Sequence, residues 1–104
     1  MTEKWLDEDE SVIIDGKSFV WWKRPLQLKG TWALLYLTNK RLYVKDRLTR
    51  MKLVEFFYDD IDSLEQDDKY LVVVGRSDGN RDELKIKLRN IDEMWESMIR
   101  QRMD

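Results

Sequence analysis

Apolar residues in this chain fall in short runs broken by polar turns; some runs are continuous, and 84–88 repeats with a period of two. The densest is 30–44, GTWALLYLTNKRLYV, in which 31–38 are almost all β-branched, aromatic or aliphatic. Asn39-Lys40 follows, and Arg41-Leu42-Tyr43-Val44 comes after it. Two β-rich runs around a short polar pair containing Asn predict a hairpin. Gly30 can supply the unusual backbone angle that starts it. Leu84, Ile86 and Leu88 alternate with Lys85, Lys87 and Arg89, the pattern of a half-buried strand.

Other strands are predicted over 53–58, 61–66 and 70–75. Asp59-Asp60 and Asp67-Asp68-Lys69 serve as turns, and Ser77-Asp78-Gly79-Asn80 forms a turn cluster. Ile61 and Leu64 are three apart rather than two, which predicts a bulge or a strand fraying into a turn. Earlier in the chain, Val12-Ile13-Ile14 and Phe19-Val20-Trp21-Trp22 flank Asp15-Gly16, predicting either a bent first strand or a short hairpin. Neighbours on a strand face opposite ways, so only one of Trp21 and Trp22 can enter a core. Residues 23–29, KRPLQLK, hold the single proline and read as a loop. Residues 1–10 are acidic and read as a loose or short helical lead-in, with Trp5-Leu6 able to pin to the rest.

The last element is a helix. Asn90 is a good N-cap, and Glu93 completes a capping-box-like pair. Asp92 and Glu93 in the first turn and Arg100 and Arg102 in the last suit the macrodipole. Ile91, Met94, Trp95, Met98 and Ile99 line one apolar stripe.

Length and composition narrow the function. A chain of 104 residues suggests one domain with one core. The formal net charge of −2 is not that of a nucleic-acid binder. Cysteine is absent, which removes disulfides and thiolate metal sites; histidine is absent, which removes the commonest general base. The acidic, polar start is not a signal peptide, and no apolar run approaches the ~20 residues that span a bilayer. Asp59, Asp60 and Asp62 form the densest carboxylate cluster. They sit at turns, where Asp is favoured for local hydrogen bonding, without a phosphate loop or a loop of calcium-ligand spacing. The expectation is a protein that is not an enzyme, with no metal and no cofactor.

The run Gly30, an aromatic-aliphatic strand, then Leu37-Thr38-Asn39-Lys40-Arg41-Leu42 resembles the second and third strands of GRAM domains, in the pleckstrin-homology (PH) superfold. The resemblance implies a mainly β fold: a PH-like two-sheet antiparallel barrel of about seven strands capped by one C-terminal α-helix. Residues 11–104 would form this domain, with 1–10 an acidic lead-in outside the family pattern. Trp95 resembles the aromatic anchor that PH-family helices place on the barrel mouth.

In that fold the connections 1–2, 3–4 and 6–7 crowd around the open end, here 23–29, 45–52 and 76–82. The first carries Lys23, Arg24 and Lys29 and no acid. The second carries Lys45, Arg47, Arg50 and Lys52 against Asp46, interleaved with Leu48 and Met51. The third is neutral. Those seven cations are the expected contacts for anionic, phosphoinositide-like lipid headgroups, and Trp22, Leu48 and Met51 for shallow insertion or a partner. The basic pattern of the PH phosphoinositide pocket is not clearly present, since 32–36 hold no basic residue. The alternative is a protein-interaction module, binding ubiquitin as GLUE domains do, another partner, or itself. Either way the expectation is a cytoplasmic adaptor, in the first case at a membrane periphery, with no nucleic-acid partner.

Overall fold

Seven antiparallel strands make one sheet, and a single C-terminal helix follows them. The computed structural model describes residues 5–24, 27–91 and 93–103; for Arg24, Gln27 and Asn90 it describes the backbone only. In chain order the strands are β1 (Val12–Arg24), β2 (Gln27–Thr38), β3 (Arg41–Asp46), β4 (Lys52–Phe57), β5 (Ile61–Asp67), β6 (Tyr70–Ser77) and β7 (Asn80–Lys87), and the helix is α1 (Met94–Met103). Across the sheet the order is β4-β3-β2-β1-β7-β6-β5.

Alternation builds the core. On β2, Ala33, Leu35 and Leu37 point inward and are fully buried; Leu42 and Val44 of β3 and Leu84 and Ile86 of β7 join them. Asp78 and Gly79 take positive φ values of 53° and 81° in succession, the geometry of a two-residue hairpin turn between β6 and β7. The spacing of Ile61 and Leu64 does mark a bulge, since the β5–β6 register shifts between Ile61 and Ser63.

The sheet is not closed. β4 and β5, its two edges, do not pair. Each inter-strand step turns by roughly 20–25°, so six steps swing the edge strands across one another. β4 therefore meets β6. The Glu55 N–H donates to Ser77 Oγ (3.1 Å), and a Cβ placed on Gly75 would come within 3.1 Å of Phe56 Cδ1 on β4. The hydrogen bonds here come from side chains, so the expected closed barrel is not what the backbone ladder forms.

Several local expectations need correction. Asp15-Gly16 does not break the first strand: β1 runs through it for 13 residues, and its irregularity lies at Val12/Ile14. Residues 23–29 are mostly strand, because Lys23 pairs with Leu28 and Arg24 with Gln27, extending the hairpin; Pro25 lies outside the described residues. The helix begins at Met94, after a 3-10 turn Leu88–Asn90, so Asn90 is not its N-cap; Asp92 lies outside the described residues. Trp95 and Ile99 are buried, with the indole over Gly16, but Met94 is exposed. The Arg100 guanidinium donates to the Leu64 carbonyl (2.9 Å) and lays α1 along β5.

The acidic lead-in is neither loose nor helical over its described residues. Arg41 Nε and Nη2 donate to the two oxygens of Glu10 (2.9 and 2.7 Å), and Nη1 donates to Glu55 (2.8 Å). Nη2 also reaches the Trp5 carbonyl (2.6 Å), and the guanidinium lies 5.2 Å from the centre of the Trp5 ring. The Trp5 indole stacks on Tyr43, ring centres 4.0 Å apart and nearly coplanar. Asn39 accepts from the Ser11 N–H and donates to the Asp9 carbonyl, and Lys40 pairs with Asp9 (2.6 Å). The segment is thereby clasped onto the β2–β3 hairpin.

Candidate functional site

The connection between β3 and β4, residues 47–51, holds the two most exposed large apolar side chains among the described residues, beside exposed cations. Leu48 is 89% exposed and Met51 70%. Asp46 builds this loop. Its Oδ1 accepts from the backbone N–H groups of Leu48 (2.8 Å) and Thr49 (3.1 Å), and its Oδ2 from the Thr31 hydroxyl (3.2 Å). Its carbonyl accepts from the Arg50 N–H and its N–H donates to the Met51 carbonyl. Those bonds, from Thr49 first and then Leu48, hold the Asp46 carboxyl below its ordinary pKa. Arg50 sits at a φ of 65°, which the ring of bonds around it stabilises. A second anchor ties the loop to β2, where the Arg47 N–H donates to the Trp32 carbonyl (3.1 Å). Leu48 and Met51 are therefore presented by a fixed frame.

Arg47 and Arg50 are exposed and have no ion pair with any described residue. Lys29, on the neighbouring strand, is exposed and near enough to Asp46 to help lower its pKa. Lys29, Arg47, Arg50, Leu48 and Met51 thus meet at one rim. The β6–β7 turn reaches the same rim, since Lys52 Nζ pairs with Asp78 (3.1 Å).

The structure does not bring all the expected residues there. Lys45 is a strand residue, buried, its ammonium 5.2 Å from the centre of the Tyr36 ring. Lys52 is held by Glu55 and Asp78; burial opposes its charge, but those hydrogen bonds outweigh it and raise its pKa. Lys23 lies on the opposite face of the sheet, where it lines a cleft of about 430 Å³ with Trp21, Leu28, Tyr70, Glu83 and Lys85. The Arg24 side chain lies outside the described residues. Trp22 is turned inward and packs on the core, so it is no exposed anchor. Its phase follows Val20, which is fully buried two residues earlier. Trp21 is the outward tryptophan, 39% exposed, lying over Gly30 so closely that a Cβ there would meet Cζ3 at 2.6 Å. The doublet required one outward indole; which one depends on strand phase, set by contacts distant in sequence.

Asp59, Asp60 and Asp62 belong to neither the β3–β4 nor the β6–β7 connection. Asp59 and Asp60 belong to a 3-10 turn and Asp62 to β5, and all three are exposed. Among the described residues no three His, Cys, Asp or Glu side chains converge as metal ligands, and no helix is long and apolar enough to cross a membrane.

No family model and no curated protein matches this chain. A solved structure, that of the C-terminal domain of an unknown protein from Leishmania infantum, is similar over 91% of this chain and 86% of its own, with a TM-score of 0.60 and 16% sequence identity. At that identity the likeness is one of fold.

Proposed function

We propose that this chain is a non-enzymatic adaptor of PH-like, GRAM-type architecture that docks on anionic membrane surfaces through the β3–β4 loop. In this reading the β4/β6 seam is the unzipped edge of a two-sheet barrel, and the loop stands at its open end. One observation carries the proposal: a loop held by Asp46 presents Leu48 and Met51 to solvent between two arginines that pair with no described residue. Exposed apolar side chains gain free energy on leaving water, and a lipid interface offers that transfer.

The magnitudes suit reversible binding. Each cation near an anionic leaflet contributes about 1 kcal/mol, so Lys29, Arg47 and Arg50 supply about 3 kcal/mol. Inserting Leu48 and Met51 adds roughly 1.5–3 kcal/mol each when fully buried. The sum, less ordering costs, corresponds to dissociation constants between about 1 mM and about 1 μM.

The test is co-sedimentation with vesicles of graded phosphatidylserine content. Bound fraction rises with the anionic share and falls as salt is added, because the cations act through a screened field. Binding insensitive to both, or absent on fully anionic vesicles, removes the proposal.

A further inference from the structure

The face of the sheet opposite the core carries a pattern that a two-fold axis would complement. Register fixes two rows across β2, β1, β7 and β6. The first is Leu28, Lys23, Glu83, Val74: apolar, positive, negative, apolar. The second is Gly30, Trp21, Lys85, Val72. Lys23 and Glu83 stand opposite one another, yet neither makes an ion pair with a described residue. Leu28 is 67% exposed and lines a cleft with Trp21, Lys23, Glu83 and Lys85 of these rows.

We infer that this face binds a second copy of the chain, about a dyad running along the strands between β1 and β7. That operation lays Lys23 on the partner's Glu83 and Trp21 on the partner's Lys85, and it does both twice. The first contact is an ion pair and the second a cation–π contact. Leu28 meets the partner's Val74, so apolar faces apolar at both ends of the row. An isologous interface needs this self-complementarity, and register supplies it row by row. A polyanion is a poorer occupant, because Glu83 lies in the middle of the face. A dyad along the strands also leaves both β3–β4 loops pointing the same way. The interface does not depend on the membrane reading, although it would double the number of loops that reach one surface.

Charge reversal tests it. The 12.7 kDa chain is followed by sedimentation equilibrium from roughly 10 μM to roughly 1 mM, which spans weak interfaces. The wild type moves to twice the monomer mass. Lys23→Glu and Glu83→Lys each weaken self-association about tenfold or more, and the double reversal restores it while circular dichroism stays native. Should either reversal unfold the chain, Leu28→Ser, at an exposed position, decides: dimerisation weakens by about tenfold. A wild type that stays monomeric overturns the inference and leaves the face to a different partner. Single reversals without effect, a folded double reversal that stays monomeric, or an unchanged Leu28→Ser dimer each overturn it too.

Discussion

The two ends of β3 use the same kinds of residue to opposite effect. At the Arg41 end, guanidinium, carboxylate and indole are folded onto one another: Glu10 and Glu55 take the charge, and Trp5 and Tyr43 cover it. At the Asp46 end the backbone is tied down as firmly, but Arg47, Arg50, Leu48 and Met51 are left facing solvent. Polar and aromatic groups that satisfy each other stabilise a fold. The same groups held in place and left unsatisfied are what a surface needs to bind something else.

The strongest way to break this contrast is at Arg41. Arg41→Met leaves Glu10 buried without its counter-charge and should cost roughly 3–5 kcal/mol in urea unfolding, with the Trp5 near-ultraviolet signal lost. Next comes Gly75, which pairs with Ile61 at the start of β5 and faces Phe56 of β4. Gly75→Ala drives a methyl into the Asp60 backbone and should destabilise by about 1–3 kcal/mol, more than most single surface changes.

Acid sharpens the comparison further. Burial raises the Glu10 pKa, but hydrogen bonds from Arg41 and Thr38 outweigh it, and the net shift is downward. The folded-state value lies below the unfolded one, so Glu10 contributes its stability above the ordinary glutamate range and loses it as pH falls through the lower value. A stability profile that is flat through that acid range in the wild type would contradict the clasp; in Arg41→Met the same slope should shrink. The smallest stability effect belongs to the loop. Leu48→Ser with Met51→Ser should change the unfolding free energy by no more than about 0.5 kcal/mol per site, yet reduce vesicle binding strongly.

The sequence displayed the strands well and the paired charges poorly. Alternation in 84–88 reports burial directly, because one face of β7 is core; the continuous apolar run 31–38 marks a strand without telling its faces apart. Both strands begin earlier than those runs, β2 at Gln27 and β7 at Asn80, and Leu88 leaves β7 for a 3-10 turn. Arg41 gave no such signal. After Asn39-Lys40 it reads as a solvated hairpin charge, and the glutamate that buries it lies 31 residues away. Lys45 was hidden for the related reason that β3 is buried on both faces, so its lysine stem lies along Tyr36. Leu48 and Met51 were visible because charges interrupt them, but the role of Asp46 as the loop's frame needed the coordinates.

One labelling experiment addresses the proposed loop most directly. The chain has no cysteine, so Leu48→Cys gives a single attachment point for an environment-sensitive dye, and Asp59→Cys provides a control on the acidic turn. On phosphatidylserine vesicles the dye at position 48 should shift to the blue and brighten, while the dye at 59 stays as in buffer. Equal responses at both positions, or none at 48, would contradict the assignment of the β3–β4 loop as the docking surface.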